Sequence, residues 1–325
     1  MRTGNPVDDG SPRLRVGVSA CLLGETVRYD GGHKRDAFLT EVLGRFVEWV
    51  PVCPEVELGL GIPREAIRLE GDPSSPRLVA PKSGADHTVA MRRLAGRRAA
   101  ALGRLGLVGY VLKKDSPSCG MERVRVHSER GAPRRNGVGL FARALMDALP
   151  LLPVEEEGRL NDPPLRENFV ERLFAADRWQ RFRAERPSRG GLVAFHTAHK
   201  LLVLAHSPKG YAALGRLVAH AKEHPLPAVL DRYGETFMAA LRELATPRRH
   251  ANVLEHMLGY VRDALAPAER HELVDLIADH RRGLVPLVVP LTLLKHHVAR
   301  QEVAYLAAQV YLAPTPKELM LRNHV

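Results

Sequence analysis

The stretch Leu107–Gly120 reads LVGYVLKKDSPSCG: a short apolar run that breaks at two lysines into a loop closing on cysteine and glycine. The run reads as a buried strand, and Ser-Pro and Gly belong to the turn that follows it. Working outward, the strand signal recurs in LRVGVSA (14–20) and VEWVPV (47–52), while helical spacing is carried by DAFLTEVLGRF (36–46), HTVAMRRLAGRRAAALGRL (87–105) and GLFARALMDAL (139–149). Strands alternating with helices predict an α/β N-terminal domain with a mostly parallel sheet. Leu151–Val154 adds a last strand. The charged, proline-bearing EEEGRLNDPP then marks a boundary. The expected organisation is a disordered tail at 1–13, the α/β domain at 14–154, a linker at 155–164 and an all-α domain at 165–325. Beyond Leu165 helical spacing dominates, as in 167–185, 227–244 and 298–312, and Ser207 and Thr246 each stand before a proline as N-cap signals.

A chain of 325 residues with 45% hydrophobic content can bury a core in each of two domains. The longest apolar tract, Leu284–Leu294, is broken by Pro286 and Pro290 and falls short of the roughly 20 residues of a spanning helix. No membrane role is expected. MRTGNPVDDGSPR lacks the apolar core of a signal peptide, so the expected location is the cytoplasm. Three cysteines in that compartment do not make a disulfide framework; packing, metal binding or reactivity remain. The net charge of +11 fits either a polyanionic partner or a solvated basic surface.

All three cysteines follow strands: Cys21 after LRVGVSA, Cys53 after VEWVPV and Cys119 in the opening stretch. In a parallel sheet the carboxyl ends of the strands share one edge, where such folds put their ligand sites. Spacing alone leaves three readings: packing cysteines, an iron–sulfur cluster with one open position, or zinc with His33 as a fourth ligand. Glu55, two residues past Cys53, is a candidate to move protons or orient water, or a loop charge. Ser116 and Ser118 are candidate hydrogen-bond donors or plain turn residues. Arg28, Tyr29 and Asp30 stand in a loop that could line the same edge.

The segments SACLLGETVRYDGGHKR (19–35), PVCPEVELGLGIPR (51–64) and KKDSPSCG (113–120) together resemble the thiouracil desulfidase family, over roughly residues 14–150. The resemblance implies a 4Fe–4S cluster held by Cys21, Cys53 and Cys119, an acid/base carboxylate at Glu55 and an assisting serine at Ser116. FHTAHKLLVLAHSPKGYAALGRLVA (195–219), RHANVLEHMLGY (249–260) and PLTLLKHHV (290–298) resemble a helical domain fused to such enzymes in bacterial tRNA 4-thiouridine desulfidases. This arrangement implies removal of sulfur from 4-thiouridine in tRNA, with free thiopyrimidines as alternative substrates and an RNA-binding iron–sulfur protein as the non-enzymatic alternative.

RNA contact is expected from DRWQRFRAERPSRG (177–190), where Arg178, Arg181, Arg183, Arg186 and Arg189 are interleaved with Trp179 and Phe182. The two aromatics are three apart, the spacing of core residues on one helix face. Twelve of the fifteen histidines lie beyond residue 190 and are read as surface or satisfied core, not as ligands.

Overall fold

The structure is a computed structural model that describes residues 13–128 and 131–324. The tail expected at 1–13 lies, but for its last residue, outside the described residues. The chain divides into two compact units, Met1–Asn161 and Asp162–Val325.

The first unit runs β1 (Leu14–Ser19), β2 (Val47–Val52), α1 (Pro54–Glu57), β3 (Arg68–Glu70), β4 (Arg77–Val79), α2 (Thr88–Gly103), β5 (Gly109–Leu112), β6 (Val124–His127), β7 (Arg134–Gly137), α3 (Leu140–Ala148) and β8 (Val154–Glu156). The main sheet has the order β2-β1-β5-β8 and is parallel throughout. The two central strands, β1 and β5, are mostly buried, as in a covered parallel sheet, whereas the edge strands carry charge at Glu48 of β2 and at Glu155 and Glu156 of β8. Ala95, Ala99 and Leu102 of α2, at helical spacing, pack with Phe141 and Leu145 of α3 against Val52, Tyr110 and Leu112. Each fully buried large side chain there contributes about 1.5–3 kcal/mol. Gly17 is required in β1, since a Cβ there would lie 2.1 Å from the ring of Tyr110.

Two sequence expectations change in this unit, and one feature lies beyond them. Residues 36–46 do not form a regular helix: a π-helical turn at Phe38–Val42 tightens into a 3-10 turn at Leu43–Arg45. Gly44 permits this, because a Cβ there would meet the carbonyl of Leu39 at 2.9 Å. Residues 155–164 are structured rather than a bare linker. They include the end of β8, paired with β5, a 3-10 turn at Arg159–Asn161, and Asp162, which caps the next helix by accepting from the N–H of Leu165 at 3.0 Å. A second sheet, β4-β3-β6-β7, was not anticipated; its strands are only three or four residues long.

The second unit is helical: α4 (Pro163–Ala184), α5 (Arg189–His206), α6 (Pro208–Ala219), α7 (Leu226–Arg242), α8 (Pro247–Val261), α9 (Pro267–Arg281), α10 (Val288–Arg300) and the short α11 (Ala304–Ala307). Ser207 and Thr246 act as the caps their sequence context suggests, accepting from the N–H groups of Gly210 (3.1 Å) and Arg249 (3.3 Å). Residues 298–312 are not one helix. Glu302 takes a left-handed conformation (φ 51°) and the N–H of Val303 returns to the carbonyl of Val298 at 3.2 Å, which closes α10 before α11 begins. Among the described residues no helix is long and apolar enough to cross a membrane.

Candidate active site

The main sheet places β1 between β2 and β5, so the chain leaves β1 toward one side and later crosses to the other. Such a switch opens a crevice at the carboxyl edge. Here the crevice is a cavity of about 360 Å3, and Cys21, Cys53, Glu55, Ser116 and Cys119 all line it. Cys21 follows β1 in a 3-10 turn closed by Gly24 (φ 98°), Cys53 is the residue before α1, and Cys119 sits in the loop after β5.

That last loop is braced from below. The N–H groups of Leu140, Phe141 and Ala142, which open α3, donate to the carbonyls of Pro117 and Ser118 at 3.2, 3.0 and 3.1 Å. The loop thereby satisfies donors that every helix start leaves unpaired. Gly139 makes the approach feasible, because a Cβ on it would lie 2.4 Å from the carbonyl oxygen of Ser118. The hydroxyl oxygen of Ser116 accepts from the N–H groups of Ser118 (3.2 Å) and Cys119 (3.0 Å), which leaves its own hydrogen available to the cavity.

Glu55 is held from two sides. The Arg64 guanidinium, 4% exposed, donates through Nε (3.1 Å) and Nη2 to Oε2, and Ser118 Oγ donates to Oε1 at 2.9 Å. Arg64 also donates to the carbonyls of Val27 and Gly61, both at 3.0 Å. Neither Arg64 nor Ser118 stands out in the sequence as a partner of Glu55. The only signal is the GLG of 59–61: Gly59 and Gly61 take positive φ (88° and 75°) and turn the chain back so that Arg64 reaches the carboxylate. Arg28 lines the cavity while paired to Asp30 at 3.3 Å, and Tyr29 lines it beside them.

All three cysteines are free thiols. Burial pushes Cys21 up to about 11, against the pull of Lys113 and Arg28, and it raises Cys53 and Cys119 too. They are neutral until a cation takes them as thiolates, releasing protons. Among the described residues no three His, Cys, Asp or Glu side chains meet closely enough to share one metal ion. His33, exposed, accepts the N–H of Arg35 on Nδ1 (3.2 Å) and does not line the cavity, so the zinc arrangement is not formed. Three soft donors standing around a volume suit a multi-iron cluster, whose ligands surround it instead of converging on a point.

The arginines of 178–189 do not form a free basic track. Arg178 is turned inward, donating to the carbonyl of Pro314; Arg181 and Arg183 pair with Asp177 (2.9 Å) and Asp231 (2.9 Å); Arg189 donates to the carbonyls of Ala221 (3.0 Å) and His224 (2.8 Å). Arg186 alone of the five is exposed with no such bond among the described residues. Trp179 is buried against Phe182, Phe195, Tyr233 and Phe237, so it is core and not a stacking platform. Several histidines are core groups, as the sequence suggested, but not all are fully satisfied: the buried Nε2 of His199 has no hydrogen-bond partner among the described residues. His199 Nδ1 donates to the carbonyl of Phe195 (2.8 Å), and His250 Nδ1 meets the Tyr311 hydroxyl (2.9 Å).

With this geometry in view, the first unit is a thiouracil desulfurase-like domain: residues 16–157 match the family described as 2-thiouracil desulfurase, and residues 200–316 match the family described as a protein of unknown function (DUF1722). The chain belongs to the family of the uncharacterized protein YbgA of Escherichia coli (strain K12), with which it is 36% identical over 153 residues, 47% of this chain and 90% of YbgA. Among solved structures, a 4Fe-4S-dependent thiouracil desulfidase, TudS, is 31% identical, covers 46% of this chain and 95% of its own, and superposes with a TM-score of 0.39.

Proposed function

We propose that the chain is an iron–sulfur desulfidase that takes sulfur from 4-thiouridine in tRNA, with water, to give uridine and sulfide. The observation that carries the reading is the meeting of three free thiols, a clamped carboxylate and a turn serine in one cavity. Cys21, Cys53 and Cys119 would hold a 4Fe–4S cluster, the cofactor named for the TudS relative. When bound, such a cluster supplies an iron without a protein thiolate, a Lewis acid for the soft sulfur of a thiocarbonyl.

The protein's own groups do the rest. Arg64 fills both lone-pair sites of Glu55 Oε2, while Oε1 keeps one beyond that taken by Ser118, and it is this oxygen that takes the proton of the water that attacks C4. Arg64 and Ser118 fix the direction from which that proton is taken. Ser116, its oxygen occupied by two backbone N–H groups, turns its hydrogen toward the base and the charge that develops on it. Burial of Cys119 and Ser118 keeps bulk water behind the loop.

Anaerobic reconstitution, with iron and sulfide counted, followed by assays on thiolated tRNA and on free 4-thiouracil tests the reading. About four irons per chain and sulfide release from tRNA are expected. Iron without sulfide release from either substrate overturns the enzymatic reading; release from the free base alone moves the substrate to small thiopyrimidines.

A further inference from the structure

The second sheet of the first unit buries one face and leaves the other in water. Leu69, Leu78, Val124 and Val126 turn inward around Met91, so the residues between them stand on the outer face. Leu69 is paired with Val126 in the parallel pair β3–β6, which sets Arg68 beside Arg125, and Arg125 is directly opposite Arg135 on β7. Three guanidinium groups thus lie side by side across three strands. Like charges facing one another across strands destabilise a sheet. Glu70 serves both Arg68 (2.7 Å) and Arg77 (3.3 Å), and Asp115 serves Arg135 (3.4 Å). Arg125, exposed in the middle of the row, has no acidic partner among the described residues. His127 registers the field: burial first, then Arg68 and Arg125, lower its proton affinity.

The row does not stop at the sheet. Asp115, the partner of Arg135, also lines the cavity, as do Lys34 and Lys114, both exposed. None of the exposed large apolar side chains lies on β3, β4, β6 or β7. The face therefore lacks the apolar anchor around which protein interfaces are built.

We propose that this arginine row is a docking surface for the sugar–phosphate backbone of a folded RNA, leading to the cavity mouth. The choice of RNA rests on the desulfidase reading; the anion preference rests on the row itself. Guanidinium forks match phosphate oxygens, and each phosphate neutralised releases counterions, so binding falls with salt.

The test uses the full chain and an unmodified tRNA transcript, with affinity measured by fluorescence anisotropy at two salt concentrations a factor of about four apart. Arg125→Glu should weaken binding at low salt at least about threefold and flatten the salt dependence by about one phosphate contact. Arg125→Lys should keep most of the affinity, and Arg270→Glu, an exposed reversal in the second unit, should leave it unchanged. If Arg125→Glu does not fold, Arg125→Gln carries the same expectation at smaller size. The proposal is overturned if the Arg125 variants bind like the wild type, if Arg270→Glu loses as much, or if vesicles of anionic lipid show the same dependence on Arg125. Because the transcript holds no thiolated base, failure of the desulfidase assay leaves this result readable, and the reverse holds.

Discussion

Among single residues, the carboxylate clamp separates roles that the sequence left merged. Glu55→Gln should retain the visible absorption of reconstituted protein while turnover falls on the order of 10²–10⁴. Ser118→Ala removes one hydrogen bond on Oε1 and should cost a smaller factor, about tenfold, again with absorption unchanged. Loss of the chromophore in either variant would reassign the residue to cluster binding. Arg64 is different. It is 4% exposed, and its removal strands a half-buried carboxylate, so Arg64→Ala should lower stability by about 3 kcal/mol in a denaturant melt as well as abolish activity. The meeting of the three cysteines at one edge was legible because each follows a strand of one parallel sheet. Arg64, and the pairing of the candidate donor Ser118 with Glu55, were not, because that reach depends on loop backbone at Gly59, Gly61 and Asp115 (φ 59°), which leaves no period in the sequence.

The elements show the same division. Caps at Ser207 and Thr246 could be read, since a hydroxyl before proline and a helical run makes its own local contact. The second sheet could not: RLE and RLV are too short to alternate, and their outer face is charged. The break at Glu302 was hidden as well, since helical spacing continues across it. One contact between elements is unusually tight. A Cβ on Gly210 of α6 would lie 2.5 Å from the Cβ of Ala240 on α7, and neither side can rotate away. Gly210→Ala should therefore cost about 1–3 kcal/mol despite the better helix propensity of alanine, read as a lower denaturation midpoint.

The whole molecule should respond to acid through its buried imidazoles. Burial lowers His199 from 6.5 to about 4, and Arg178 and His196 press the same way against the Phe195 carbonyl. Between these values the unfolded chain binds more protons than the folded one, so stability present above pH 6.5 is lost as pH falls toward 4. The shift amounts to about 3 kcal/mol at most. His250, also lowered by burial, adds the same sign. The melting temperature should drop across that window, and His199→Gln should flatten the drop; a melt independent of pH would show that the imidazole protonates without penalty.

The start of α3 gives the Cys119 loop a reporter that needs no label. Since the amides of Leu140, Phe141 and Ala142 end on the carbonyls of Pro117 and Ser118, their protons exchange with deuterated solvent only when the loop lifts away. Exchange at three neighbouring amides thus times the opening of a cysteine loop more than twenty residues upstream. Pinning that cysteine with metal should slow all three together, whereas Gly139→Ala, which forces the loop aside, should quicken them before any helix signal changes.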